Sequence, residues 1–298
     1  MRKAIVVAGP TASGKTKYAI NLSQILDGII INFDSIQIYN DLKILTAFPS
    51  EQDMKSVPHK LFGYMNAMKK TNATDWAKLA AEEIEKALEI GKKPILVGGT
   101  GFYINTLING INDLPKISKS TREMTEILAN ENYENLCKIV YKNDQRLEKI
   151  ITRDKHRQML RAYEILQETG SSILEFYLKN KRNFIKNIDF EFHLLDIPRC
   201  ELYKRINLRF ENMLKNGAIE EVRQLLQKCE NNSYDFIKNL PIFGAIGAKE
   251  IVLFLNNKCS FEEMICIASQ KSRHYAKRQM TWFRNKIPEN FKLKLINI

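Results

Sequence analysis

Hydrophobic positions recur in two rhythms along this chain. Lys3 to Ala8 (KAIVVA) is a short β-branched run that stops at Gly9-Pro10, which predicts a buried strand opening into a loop. Over 15–26 the apolar positions Tyr18, Ala19, Leu22, Ile25 and Leu26 fall on one helical stripe. Residues 28–33 (GIIINF) predict a second buried strand. Residues 76–90 predict a helix, with Trp76, Leu79, Ala80, Ile84, Ala87 and Leu88 on one side and Gly91 as its stop. Residues 94–97 (PILV) form a third strand that leads into Gly98-Gly99. This strand–helix alternation argues for an α/β fold, a parallel sheet flanked by helices.

The rhythm changes after Pro115. Residues 118–180 are charged and helical in spacing, and no strand stands out among them. One more apolar strand is expected at 190–197 (FEFHLLDI), and from Arg199 onward the chain reads as helical throughout, over about 199–215, 217–229, 244–256 and 261–286. The expected organisation is a catalytic core made of 1–114 and 191–298, interrupted by an all-helical insertion at 115–190.

Composition narrows the class. The 298 residues are 44% apolar and 27% charged, the balance of a globular chain. No stretch approaches the roughly 18 consecutive apolar residues of a membrane helix. Met1-Arg2-Lys3-Ala4-Ile5 runs straight into the first strand, with no room for a signal or transit segment. Cys137, Cys200, Cys229, Cys259 and Cys266 are scattered and odd in number, as expected of reduced thiols in a cytoplasmic protein. His59, His156, His193 and His274 show no metal-ligand spacing. The net charge of +12 suits a polyanionic partner. It is equally what a chain rich in Lys, Asn and Ile throughout would carry.

The sharpest motif is Gly9-Pro10-Thr11-Ala12-Ser13-Gly14-Lys15-Thr16, a match to G-x-x-x-x-G-K-[ST] between an expected strand and an expected helix. Such a loop curls so that several backbone N–H groups face one phosphate, and the helix N-terminus adds positive potential. Lys15 brings a mobile charge, and the Thr16 hydroxyl suits Mg²⁺. The fold is therefore expected to be P-loop NTPase-like. The motif fixes a diphosphate or triphosphate ligand but not the reaction.

Two further strand ends point toward the same rim, because the carboxyl ends of parallel strands face the ligand crevice. The second strand ends in Asp34-Ser35-Ile36-Gln37-Ile38-Tyr39. Asp34 could hold a metal, act as a general base or cap the turn that follows. The third ends in Gly98-Gly99-Thr100-Gly101-Phe102-Tyr103. The glycines are expected to leave backbone and the Thr100 hydroxyl open to a ligand; the alternative is that Thr100 caps the next helix.

Together these segments resemble the tRNA dimethylallyltransferase (tRNA isopentenyltransferase) family. The family's GPTASGKT stands at Gly9 to Thr16, its DSxQxY as Asp34, Ser35, Gln37 and Tyr39, and its GGTGLY at Gly98 to Tyr103 with Phe102 for leucine. Arg205-Ile206, Arg209-Phe210 and Met213-Leu214 resemble its RIxxRxxxML segment, and Tyr275 to Arg284 resembles its RYAKRQxTWFR. The resemblance spans nearly the whole chain in the family's order. It implies transfer of a dimethylallyl group from dimethylallyl diphosphate to N6 of the adenosine 3′ of the anticodon in tRNA, giving N6-(dimethylallyl)adenosine, with Mg²⁺. It implies that the phosphate loop and Arg209 hold the diphosphate, that Asp34 is the base for the adenine amine, and that Thr100 meets the bridging oxygen of the leaving group. It also implies tRNA contacts at Asp34, Ser35, Ile36, Gln37 and Thr100, at Arg122 in the insertion, and at Arg157, Gln158, Met159, Leu160 and Arg161, where the family has a QRxxR run. The expected partners are the anticodon stem-loop and the allylic diphosphate, with a monomeric protein and no membrane.

Some positions depart from the pattern. The family's GTAKP reads Leu45-Thr46-Ala47-Phe48-Pro49, its PHHLID reads Pro58-His59-Lys60-Leu61-Phe62-Gly63, and its IGYKE reads Ile246-Gly247-Ala248-Lys249-Glu250. Trp282 and Phe283 follow a basic helical stretch and are expected in the core rather than facing RNA. Transfer to free adenine nucleotides, as in adenylate isopentenyltransferases, is the nearest rival reading; the insertion and the basic C-terminal helices argue against it. A small-molecule kinase would need an arginine-bearing lid that the sequence does not display. A non-catalytic RNA-binding switch would leave Asp34 and Thr100 without a task.

Overall fold

The structure is a computed structural model that describes residues 2–179, 181–229, 239–287 and 291–297. Its centre is a six-stranded sheet in the order β3-β2-β4-β1-β7-β8. The strands are β1 (Lys3–Ala8), β2 (Gly28–Asn32), β3 (His59–Lys60), β4 (Lys93–Gly98), β7 (Asp189–Asp196) and β8 (Lys292–Asn297), and every pairing is parallel. Parallel strands need crossovers that cover both faces. β1, β2 and β4 are accordingly buried along nearly their whole length.

Alternate residues of each strand serve opposite faces. Val6, Ile31 and Leu96 join the larger core with helix α3 (Ala73–Glu89), whose small positions Ala77, Ala80 and Ala87 let it lie close to the sheet. Val7, Ile30 and Ile95 pack on the other face with Ala19 and Ile20 of α1 (Lys15–Leu26). α1 begins directly after Gly14, which takes a left-handed φ of 83°. A side chain there would meet nothing within 4 Å, so the backbone angle and not space selects glycine. α3 starts three residues earlier than the apolar stripe suggested, because the Asn72 side chain accepts from Asp75 N and caps it there.

The expectation that everything after Arg199 is helical is corrected by β8. Its register runs from Glu191↔Lys292 to Asp196↔Asn297, and Lys294 pairs with Glu191 across it. As an edge strand it leaves Leu293 and Leu295 exposed, so it lacks the continuous apolar run of the central strands. α9 (Arg199–Lys215), α10 (Ala218–Lys228), α11 (Ala248–Leu255) and α12 (Phe261–Lys286) follow as helices. A 3-10 turn at Pro241–Gly244 precedes α11, which begins at Ala248, four residues after the expected start at 244.

Residues 109–183 form a second compact unit, distinct from that of 1–108 with 184–298. It holds α5 (Lys119–Asn143), broken by extended backbone at Asn132, then α6 (Leu147–Ile150), α7 (His156–Thr169) and α8 (Ile173–Tyr177) around its own core of Leu136, Cys137, Val140, Met159, Ala162 and Ile165. The unit is not wholly helical. β5 (Ile111–Asn112) pairs antiparallel with β6 (Lys181–Arg182), and this short ladder joins the unit's two ends. That pairing sets the observed limits several residues before the expected 115 and 190; Phe184, Ile185 and Ile188 pack instead against the sheet's main core.

Candidate active site

The loop after β1 curls over its own lysine. Ala12 takes a left-handed φ of 64°, and Ser13 N donates to Pro10 O at 3.3 Å. Lys15 Nζ donates to Pro10 O at 2.7 Å. Burial pushes the Lys15 ammonium down to about 7; Asp34 opposes that shift, and Arg209 adds to it. The Ser13 hydroxyl is buried without a protein partner. A half-buried, desolvated cation and an orphaned hydroxyl in a loop that opens a helix are what a polyphosphate would satisfy.

Asp34 stands two residues beyond β2, held by a buried asparagine. Asn32 Oδ1 accepts from Asp34 N at 2.8 Å, and Asn32 Nδ2 donates to Asp34 O and to Leu61 O. The indole of Trp76 donates to Asn32 O at 2.9 Å, so α3 fixes the strand end. Asp34 Oδ1 accepts from Ile36 N at 3.0 Å. The carboxylate therefore does cap its own turn, with one oxygen, and it still lines the cavity.

Thr100 stands at the N-cap position of α4 (Gly101–Asn109), its carbonyl accepting from Tyr103 N and Ile104 N, but its side chain is used elsewhere. Its Oγ1 accepts from Ser35 N at 2.9 Å and donates to Ser35 Oγ at 3.2 Å. The strand ends of β2 and β4 are thereby tied together. Gly98 lines the cavity, but the reading of Gly99 and Gly101 as open to ligand is corrected. A side chain at Gly98 would strike the Phe33 backbone, one at Gly99 would meet Gln279 at 2.1 Å, and one at Gly101 would overlap Trp282. They are glycines because other parts of the protein press against them.

Arg209 projects from α9 and is half-buried. Desolvation lowers its pKa, and the Asp34 carboxylate counteracts that. Lys15, Arg209 and Asp34 share a cavity of about 450 Å³, within the range of small-molecule sites. Its apolar wall includes Leu45, Phe210, Met213 and Ile246. Thr16 and Gln37 also line it, and Gln37 Nε2 donates to the carbonyls of Thr46 and Ala47, fixing the loop over the cavity.

The family model for IPP transferase matches residues 37–286. A tRNA dimethylallyltransferase of Rickettsia bellii is 36% identical over 99% of this chain and 92% of its own length. One from Ehrlichia canis is 38% identical over 97% of this chain and 93% of its own. Among solved structures, a full-length tRNA isopentenylpyrophosphate transferase from Bacillus halodurans superposes with a TM-score of 0.70 at 31% identity, over 100% of this chain and 91% of that one. A eukaryotic dimethylallyltransferase acting on tRNA gives 0.85 at 27% identity, over 100% of this chain and 74% of that one. This chain belongs to the IPP transferase family.

In this IPP transferase α12 brings further residues to the site, which the strand-end motifs do not mark. Tyr275 and Gln279 of α12 line the cavity. Burial first, and then Asp34, push the Tyr275 phenol far above its ordinary value, so it stays protonated; Arg278 lies over its ring at 5.8 Å. Glu221 of α10 accepts from Ile44 N and Leu45 N and braces the cavity loop from outside. Helical spacing within Tyr275–Arg284 was the available signal, since positions four apart share a face. On that helix Phe283 is fully buried and Trp282 packs partly buried against the core.

The departures from the IPP transferase pattern are packed on one another. Phe48 meets Phe62 edge-on at 5.7 Å, and a side chain at Gly63 would come within 3.1 Å of Phe48. Leu45 and Phe210 fill the space beside Gly247. In the helical unit, Arg122, Arg157 and Gln158 are exposed, whereas Leu160 is half-buried. Met159 is fully buried in that unit's core. Its place among the expected tRNA contacts is corrected: an apolar side chain at this point of α7 faces the core. Arg161 is half-buried, donating to Glu164 at 3.1 Å and to Pro115 O at 2.9 Å.

Proposed function

We infer that this IPP transferase moves a dimethylallyl group from dimethylallyl diphosphate to N6 of the adenosine 3′ of the anticodon in tRNA. The observation that carries the reading is one cavity holding two half-buried, desolvated cations, Lys15 and Arg209, together with the Asp34 carboxylate. Cations of this kind suit a diphosphate leaving group; a carboxylate beside them suits a nucleophile that must lose a proton.

The exocyclic amine of adenine is a weak nucleophile because its lone pair is delocalised into the ring. The N6–C bond forms at the allylic carbon as the C–O bond to diphosphate breaks, and Asp34 accepts the amine proton. Negative charge grows on the departing oxygen, where Lys15, Arg209 and the phosphate loop supply positive potential, and the Thr100 hydroxyl reaches that oxygen by giving up its bond to Ser35 Oγ. The target base reaches the cavity by flipping out of its stack. Oxygen donors suit Mg²⁺, and among the described residues no cluster of three or more His, Cys, Asp or Glu could cage a metal alone. The Thr16 hydroxyl would therefore hold Mg²⁺ together with diphosphate oxygens, and the ion supplies counter-charge to the leaving group.

The exposed cations Arg122 and Arg157, with Gln158, are assigned to the tRNA backbone. Leu160 and Arg161 shape α7 beneath them. Among the described residues no helix is long and apolar enough to cross a membrane, and a monomeric, cytoplasmic protein is part of this proposal. The names of the relatives specify tRNA, which favours tRNA over free nucleotide as acceptor. Offering labelled dimethylallyl diphosphate with tRNA, AMP or ATP in separate reactions tests the reading: label enters tRNA alone. Label in AMP or ATP would move the chain to the free-nucleotide reaction.

A further inference from the structure

One buried amide joins the two loops that the reaction uses. The β1–β4 ladder ends at Ala8↔Gly98, and beyond it the chain diverges into the phosphate loop and the Thr100 loop. Gln279, 5% exposed, continues the bridge. Its Oε1 accepts from Thr11 N at 2.9 Å, and its Nε2 donates to Gly99 O at 3.0 Å. A primary amide offers an acceptor and a donor in one rigid plane, and this gap needs both.

Gln279 is one of a series on a single face of α12. Tyr275 lies one turn earlier, with Thr100 and Gln279 next to its phenol. Trp282 lies three residues later, against Gly101. Spacings of four and three keep side chains on one helix face. Gly99 and Gly101 lack side chains where this face presses on them. The helix is thus fitted to the Thr100 loop at three points and to the phosphate loop at one.

We propose that Gln279 is a positioning residue: it sets the separation between the diphosphate-binding loop and the Thr100 hydroxyl, so that the leaving oxygen and its donor meet. The proposal rests on the leaving-group role assigned to Thr100 above. Both polar ends of the Gln279 amide are taken by protein, so it acts by holding Thr11 and Gly99 at fixed spacing, and a misplacement near 1 Å can cost on the order of 10²-fold in rate.

The test is a double-mutant cycle with single-turnover kinetics on the full chain, dimethylallyl diphosphate and tRNA. Gln279→Met keeps length but removes both hydrogen bonds, and should slow transfer by roughly 10- to 100-fold while leaving the KM for tRNA unchanged. Because Gln279 works through Thr100, adding Gln279→Met to Thr100→Ala should cost less than about a further factor of two, the usual scatter of independent effects. Gln279→Glu keeps the acceptor for Thr11 N but loses the donor to Gly99 O. Protonating that carboxyl restores an O–H, so the ratio of variant to wild-type rate should rise as pH falls. If the Met variant does not fold, the Glu variant's pH ratio decides alone. A wild-type rate in Gln279→Met, full multiplicative loss in the double variant, or a flat pH ratio would each overturn the proposal. A wild-type rate in Thr100→Ala alone would instead sink the role given to Thr100.

Discussion

Replacing Asp34 by asparagine separates the two tasks of that carboxylate. Oδ1 accepts from Ile36 N at 3.0 Å, and the backbone on either side is fixed by Asn32 and, through it, by Trp76. Asparagine keeps an acceptor for Ile36 N, so the turn survives and folding stability should change by less than about 1 kcal/mol. What it loses is the ability to take a proton. Removal of a general base typically costs roughly 10²–10⁴ in the chemical step, equivalent to about 3–5 kcal/mol of barrier at 1.36 kcal/mol per tenfold. Asp34→Ala should match that kinetic loss and add about 1 kcal/mol of instability, because the turn then loses its acceptor as well. The assay is a single turnover with enzyme in excess over tRNA, alongside thermal melts of each variant. A near-wild-type rate for Asp34→Asn would exclude Asp34 as the base, whatever the melts showed.

Lys15→Ala and Arg209→Ala should each weaken dimethylallyl diphosphate binding by about 1.5–3 kcal/mol, the range for a hydrogen bond to a charged group; unchanged affinity by calorimetry would remove that residue from the diphosphate site. Affinity for tRNA should fall steeply with salt, since each phosphate contact releases counterions. Charge reversal at the exposed Arg122 and Arg157 should flatten that slope and leave donor affinity alone, and an unchanged slope would count against the helical unit as an RNA-binding surface. In that unit Asp144 accepts from Arg146 Nε and Nη2 and from Ser172 Oγ, and the Arg146 bonds chiefly hold its carboxyl well below the usual carboxylate range. A lowered folded-state pKa means that this stabilisation is complete above the ordinary value near ~3.9 and disappears as pH falls through the lowered one. Asp144→Asn should therefore lower Tm at neutral pH, and the gap from wild type should close in acid; a gap constant down to strongly acidic pH would refute the linkage.

Much of this could be read from the chain because the central strands and α1 obey simple rules. KAIVVA and GIIINF are continuous apolar runs, and both are interior parallel strands. The glycine and lysine positions of the phosphate loop mark the end of β1. β8 escaped notice because an edge strand is half-exposed and KLKLIN alternates where its neighbours run solid. β3 and the β5–β6 ladder are two residues per strand, too short for any periodicity. Within the site, Asp34 and Thr100 sit at strand ends and so declare their direction. Gln279 and Tyr275 do not: they reach the cavity from a helix nearly 180 residues away in sequence from Thr100, and only tertiary packing brings them there. The glycines after β4 were read for the right place but the wrong cause, since nothing local in Gly98-Gly99-Thr100-Gly101 tells of Trp282 and Gln279 pressing from outside.

The most direct test of the central claim is nucleoside analysis of tRNA after incubation with the chain, dimethylallyl diphosphate and Mg²⁺, with no ATP present. The account predicts N6-(dimethylallyl)adenosine at the adenosine 3′ of the anticodon and one diphosphate released for each base modified. Unmodified tRNA under these conditions, or a requirement for ATP hydrolysis before any modification appears, would contradict it.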